Sequence, residues 1–75
     1  MPTRPRYPMP EFMRQALESR GLMDAYCLRP PTQQNDYIGW ITRARRETTR
    51  QQRLDQMLDE LEAGNVYMRM KWSPG

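Results

Sequence analysis

Five arginines lie between Ile41 and Arg53 and are the residues best suited to bind a charged partner. On a continuous helix, four of them would share one face at i, i+3, i+7 and i+10. These four are Arg43, Arg46, Arg50 and Arg53. Guanidinium groups arranged in this way contact phosphates, and a nearby aromatic ring can stack on bases. Further charge and such a ring occur close to the C-terminus, in Arg69, Lys71 and Trp72.

An acidic block follows the arginines directly. Residues 54–64 carry four carboxylates and no basic residue, namely Asp55, Asp59, Glu60 and Glu62. Basic residues at a helix N-terminus and acidic ones at its C-terminus oppose the helix macrodipole, so something must neutralise the arginines. Pairing of Glu47 with Arg43 or Arg50 is the simpler alternative to an external ligand. For the acidic block we expect a solvated face, not a metal site or a catalytic carboxylate pair.

Composition excludes several chemistries. The chain has no histidine, which excludes a Ser-His-Asp triad and imidazole metal ligands. The single cysteine, Cys27, cannot form an internal disulfide or a zinc site, and we predict that it is a small buried residue. The four glycines are too widely spaced for a phosphate-binding loop. We therefore predict a protein that is not an enzyme, with no cofactor, no metal and no small-molecule substrate.

The apolar segments are short. No run approaches the roughly 18 residues that a membrane span requires, so no membrane span is expected. The first ten residues contain four prolines and lack the apolar stretch of a secretory signal. Without a signal or a disulfide, the expected location is the cytoplasm.

The elements that must position the arginines are predicted to be short helices. Periodicity and helix-ending residues predict helices over residues 10–20, 22–28, 33–46 and 47–63. Thr32 is the predicted N-cap of the third helix. A bend over residues 46–49 separates the last two helices, although one long helix is an alternative. These helices form a domain over residues 10–64, between an extended proline-rich arm (1–9) and an extended tail (65–75).

The predicted fold class is all-α, a compact bundle of three to four short helices. Leu, Ile, Val and Phe total only 10 residues, but seven Met, four Tyr and two Trp add surface that can be buried. A domain with so small a core is marginal, and we expect a protein partner or self-association to help it. Trp40 should be at least partly buried. The expected core consists of Phe12, Met13, Leu17, Leu22, Tyr26, Tyr37, Ile41, Leu54, Met57, Leu58 and Leu61.

The tail changes period. Apolar residues at 66, 68, 70 and 72 alternate with Tyr67, Arg69 and Lys71, which predicts a half-buried strand. A single strand has no obvious partner in a helical domain. It lies over the helices, or it pairs with a second copy of the chain or with the sheet edge of another protein.

Four segments resemble the bacterial YdeI/OmpD-associated, or bacteriocin-protection, family. They are PEFMRQAL from Pro10, DYIGWI from Asp36, ARRETTRQQRL from Ala44 and MLDELEAG from Met57. Members carry an aromatic–aliphatic–x–Trp–Ile helix, a basic stretch and an apolar helix ending in glycine. The matching positions here are Tyr37, Trp40, Ile41, Ala44, Arg45, Glu47 or Thr48, Arg50 and Arg53. The resemblance implies a small helical domain without catalytic residues. The family name implies antimicrobial-peptide resistance and association with a porin.

Two functional hypotheses follow. The first is a non-enzymatic interaction module of the stress or bacteriocin-protection type, with a contact surface over Arg43–Arg53 and the tail. The second is a small nucleic-acid-binding protein that uses the same arginines. Counterion release would make the second kind of binding fall steeply with salt, whereas apolar docking of the tail would be nearly insensitive to salt.

Overall fold

A computed structural model describes residues 8–73, which form four α-helices and one small β-hairpin. The predicted all-α class is confirmed. The proline-rich arm predicted over residues 1–9 lies outside the described residues except for Pro8 and Met9. The elements are α1 (Glu11–Ser19), α2 (Met23–Cys27), α3 (Pro31–Thr42), α4 (Glu47–Ala63), β1 (Val66–Tyr67) and β2 (Met70–Lys71).

Helix α1 buries one narrow face and ends in a glycine turn. Met13 and Leu17 are fully buried, while Phe12 is 36% exposed, so its predicted place in the core is wrong. Phe12 lies at the edge of the apolar stripe, where its ring meets the Arg50 guanidinium 5.4 Å away. At the C-terminus, Gly21 takes φ 67°, and the Leu22 N–H donates to the Leu17 carbonyl at 2.8 Å. These contacts end the helix in a Schellman motif.

Helix α2 has five residues and presents only one side to the core. Tyr26 occupies that side, and Leu22, the N-cap of the helix, is buried beside it. Cys27 is exposed, so the prediction that it is buried is wrong. With Tyr26 turned inward, the next residue of so short a helix faces solvent.

Helix α3 begins and ends earlier than its sequence predicts. Pro30 is the N-cap and Pro31 the first helical residue, so the prediction of Thr32 as N-cap is wrong. Proline suits this position because its φ is already helical and the first N–H has no partner within the helix. The helix ends at Thr42, and the connection to α4 covers residues 43–46. Within this connection, the Ala44 side chain is buried.

Helix α4 is the longest element and carries the predicted apolar stripe. Leu54, Met57, Leu58 and Leu61 are all buried, and Gly64 caps the helix at φ 85°. Apart from Phe12, every residue of the predicted core is buried, and Trp40 is partly buried as expected. Ile38 and Ala44 are buried in addition. The core therefore lies where α1, α2 and α3 meet the inner face of α4.

The tail folds back on itself and covers the helices. β1 and β2 pair antiparallel, with Val66 opposite Lys71 and Tyr67 opposite Met70. Met68 and Arg69 form the turn, both at positive φ, as a two-residue hairpin turn of type I′ requires. The prediction of one strand is wrong because the alternating pattern continues through this turn. Tyr67 and Met68 pack on the core, which agrees with the alternative that the tail lies over the helices.

Candidate interaction surface

The break between α3 and α4 separates the arginines that the sequence places on one helical face. Arg43 is the C-cap of α3 and Arg46 the N-cap of α4, so a continuous helix over residues 43–53 is not formed. Both of these side chains are exposed, whereas Arg50 and Arg53 lie on α4 and are half-buried. The four arginines therefore do not form a single helical row.

Arg50 is engaged within the chain. Its Nη2 lies 3.2 Å from Glu47 Oε2, which confirms the predicted pairing of Glu47 with Arg50. The same guanidinium lies over the Phe12 ring. An exposed ion pair of this kind stabilises a fold by well under 1 kcal/mol. Between them, Glu47 and the Phe12 ring hold the Arg50 side chain on the α1 side of α4.

Arg53 on α4 and Arg69 in the hairpin turn line one groove. This groove and the cleft beside Arg50 and Phe12 have no lining residue in common. Arg53 donates from Nη1 to the Trp40 carbonyl at 2.6 Å, and its guanidinium lies 5.3 Å from the centre of the Trp40 ring. Arg69 donates from Nε to Gln56 Oε1 at 3.1 Å. The groove has a volume of about 610 Å³, and we call it the Trp40 groove. Its lining residues are Trp40, Thr49, Gln52, Arg53, Asp55, Gln56, Asp59 and Arg69.

Lys71 and Trp72 lie outside the Trp40 groove. Lys71 is exposed on β2. Trp72 is half-buried, and its ring lies 4.4 Å from the Arg29 guanidinium, beside a cleft of about 140 Å³. This cleft shares no lining residue with the groove. Of the residues predicted for the contact surface, the structure thus brings Arg53 and Arg69 together and leaves Trp72 elsewhere.

A buried carboxylate fixes the hairpin, and the sequence gives no sign of it. Glu60 is 5% exposed, although its block is predicted to be a solvated face; that prediction is wrong for Glu60. Its two oxygens accept the N–H groups of Met68 and Arg69, each at 2.8 Å, and one also accepts from Gln56. The Tyr37 hydroxyl donates to the same carboxylate. Consecutive N–H groups in such a turn form a natural anion cradle.

A buried guanidinium holds the base of the same hairpin. Arg29 is 4% exposed and donates to the carbonyls of Val66 at 2.8 Å and Glu60 at 2.9 Å, and to Gln33 Oε1 at 3.2 Å. Its position directly before two prolines offers no sequence signal for this role. Because the hairpin carries Arg69, the contacts of Arg29 and Glu60 decide where one wall of the Trp40 groove stands.

Aromatic contacts complete the attachment of the hairpin. The Tyr67 hydroxyl donates to Asp36 Oδ2 at 2.8 Å, and the Tyr67 and Tyr37 rings meet edge to face with centres 5.4 Å apart. Edge-to-face pairs of this geometry stabilise by about 0.5–1.5 kcal/mol beyond burial. The hairpin is therefore joined to α3 as well as to α4.

Two buried tyrosines have perturbed acidities. Burial raises the pKa of Tyr26 to about 12, with a smaller contribution from nearby Cys27. Burial also raises the pKa of Tyr37, and its hydrogen bond to Glu60 raises it further. Both hydroxyls therefore stay protonated in the folded protein well above pH 10.

Alkaline pH should destabilise the fold through these tyrosines. Their folded pKa values lie above the unfolded value of about 10, so their contribution is complete below pH 10 and is lost as pH rises. Each further pH unit should cost about 1.4 kcal/mol per buried tyrosine until the folded pKa is reached. We expect the melting temperature to fall between pH 10 and 11.5, with a late tyrosinate absorbance step at unfolding. Tyr26→Phe should roughly halve the slope; an unchanged slope would contradict this assignment.

The rest of the described surface offers few other sites. Within residues 8–73 no three acidic or cysteine side chains group closely enough to hold a metal ion. No helix in the same range has the length and apolar character to cross a bilayer. Leu28 and Met70 are the large apolar side chains with the highest exposure, at 84% and 61%.

The chain matches a known protein family over most of its length. A sequence profile described as bacteriocin-protection, YdeI or OmpD-associated matches residues 6–64. The chain belongs to this family. The predicted resemblance is therefore confirmed over most of the 75 residues. Searches of curated proteins and of solved structures gave no match.

The residues that line the Trp40 groove lie partly inside and partly outside the region that matches the YdeI/OmpD-associated family. All four helices lie within it, including Trp40 and Arg53 on one wall and the buried Arg29 and Glu60. The hairpin that carries Arg69 follows the end of the matched region. This YdeI/OmpD-associated domain thus builds its groove from the matched helices and from a hairpin beyond them.

Proposed function

We propose that the chain is a non-enzymatic interaction module that binds a protein partner along the Trp40 groove. The observation that carries the proposal is the groove's lining, in which an aromatic ring lies among groups of both charge signs. Trp and Arg are the residue types most enriched where protein partners bind. Here the Trp40 ring and the Arg53 guanidinium are in contact, and both remain partly exposed.

The polar lining favours a protein partner over a phosphate backbone. Asp55 and Asp59 line the same groove as the two guanidinium groups and would repel a polyanion. The amides of Gln52 and Gln56 offer both donors and acceptors, which suits the main chain of a partner. A partner with both charge signs therefore fits this surface better than a nucleic acid does.

Binding of nucleic acid is the second candidate, and one observation favours it. Arg43, Arg45 and Arg46 are exposed, and none of them has an ion pair among residues 8–73. Oligonucleotide binding measured at low and at physiological salt tests this candidate. Micromolar binding that falls steeply with salt and disappears in Arg46→Glu/Arg50→Glu would support it. No binding at low salt would eliminate it.

Site-specific cross-linking tests the proposed interaction. A photoreactive amino acid replaces Gln52, which lines the Trp40 groove, or Gln51, the adjacent glutamine on α4 that lies on the Phe12 side. Both positions are exposed, so neither replacement should disturb folding. We expect a discrete protein adduct from position 52 and a much weaker one from position 51. Absence of an adduct at 52, or identical adducts at both positions, would overturn the proposal.

A further inference from the structure

The charges of α4 are separated along its length. Arg45 and Arg46 stand at its N-terminal end, exposed and without an ion pair among the residues that the structure describes. Asp55, Asp59 and Glu62 are exposed along its C-terminal half. The outer face of the helix therefore changes sign from one end to the other.

This arrangement is unfavourable for an isolated helix. The N-terminal end of a helix carries partial positive charge and the C-terminal end partial negative charge, so both blocks oppose the macrodipole. Contacts within the chain offset only part of this. Glu47 engages Arg50, and Arg20 lies 2.6 Å from Glu62 and 3.6 Å from Asp59. A second helix running antiparallel would place opposite charges and opposite dipole ends side by side at both ends.

We propose that the partner of the Trp40 groove is a second copy of this chain, with the two α4 helices antiparallel across a two-fold axis. This inference rests on the proposed function and names its partner. With the axis beside Gln52 and Arg53, Arg46 of each copy lies opposite Asp59 of the other, and Thr49 lies opposite Gln56. A two-fold interface must be complementary to itself, and a face that is basic at one end and acidic at the other meets that condition.

The size of the face sets the strength of the pairing. Helix α4 has 17 residues and is about 26 Å long, and the groove follows one side of it. Such a contact is smaller than the roughly 800 Å² per partner of a standard interface, so the dimer should be weak and reversible. Since its attraction is mainly electrostatic, salt should dissociate it.

Charge reversal tests the pairing with two variants, Arg45→Glu/Arg46→Glu and Asp55→Lys/Asp59→Lys. Each variant alone would place like charges opposite each other in both halves of the dimer, so neither should self-associate. Mixed together they restore attraction in both halves and should form a heterodimer. The new charges agree with the macrodipole of α4, and Asp59→Lys gives up only the exposed contact of Asp59 with Arg20, so each variant should keep its fold, with a melting temperature close to that of the wild type.

Sedimentation equilibrium at low and physiological salt gives the readout, up to about 1 mM protein, where contacts near −4 kcal/mol become visible. We expect the wild type and the mixture to approach twice the 9.0 kDa monomer mass at low salt, and each variant alone to remain monomeric. Lys71→Glu, which changes an exposed charge outside the groove, should leave the dimer intact. A monomeric wild type, or a mixture that fails to associate, would overturn the inference. A discrete adduct with another protein at position 52 would then still support the proposed function.

Discussion

Glu60→Ala should lower the free energy of unfolding by about 3–5 kcal/mol. The Glu60 carboxylate accepts four hydrogen bonds, from Tyr37, Met68, Arg69 and Gln56, and it is almost fully buried. Its removal leaves a buried hydroxyl and two turn N–H groups without acceptors, at about 1–3 kcal/mol each where water cannot replace them. A domain of this length has a total stability of roughly 4–11 kcal/mol, so the variant should be close to unfolding.

Urea denaturation followed by tryptophan fluorescence measures this loss. Trp72 follows the hairpin directly and stacks on Arg29, so detachment of the hairpin should shift its emission towards that of exposed tryptophan. Glu62→Ala is the matched control, because Glu62 lies on the same helix but pairs with Arg20 at the surface. That substitution should cost less than about 1 kcal/mol. Equal losses in the two variants would show that Glu60 does not hold the hairpin.

The effect of Glu60 should also reach the groove. The carboxylate binds the backbone N–H of Arg69, while the Arg69 side chain lines the Trp40 groove and bonds Gln56. Since Met68 and Arg69 both adopt positive φ without being glycine, the turn needs such contacts to hold its shape. Glu60 therefore contributes both to the stability of the fold and to the position of Arg69 in the groove, although Glu60 does not itself line the groove.

Sequence periodicity predicted the helical core because burial there follows from local spacing. Leu54, Met57, Leu58 and Leu61 repeat with the period of a helix, and this stripe alone identifies the inner face of α4. The glycines that end α1 and α4 were equally predictable, since few other residues adopt positive φ at low cost. These features depend on residues within one or two turns of each other.

The candidate site depended on contacts that local patterns do not contain. Arg29 donates to Val66, 37 positions later, and Glu60 accepts from a turn that exists only because the tail folds back. A charged side chain is buried only where hydrogen-bonding groups pair with it. For Arg29 and Glu60, many of those groups belong to other elements of the fold. The bend between α3 and α4 is predicted over residues 46–49, whereas the structure has it over residues 43–46, and local spacing does not fix its position. Glutamines 52 and 56, which line the groove, look like any exposed helix residues.

Two adjacent residues of α1 give the sharpest test of where its buried face lies. The apolar pattern predicts both Phe12 and Met13 in the core, whereas Met13 is fully buried and Phe12 is 36% exposed. Met13→Ala should therefore lower the free energy of unfolding by about 2–5 kcal/mol, because a buried methionine leaves a cavity when truncated. Phe12→Ala should cost less, about 1–2 kcal/mol, because the ring is only partly buried and loses a partial apolar burial and its contact with Arg50.

Thermal and urea unfolding of the two variants under identical conditions measures the difference. Phenylalanine has the larger side chain, so equal burial would make its truncation at least as costly as that of Met13. A smaller loss for the larger residue agrees with a helix α1 that rests on Met13 and Leu17 and leaves Phe12 at the margin of the core. Comparable losses in both variants would mean that α1 is rotated about its axis towards the face that the sequence pattern predicts.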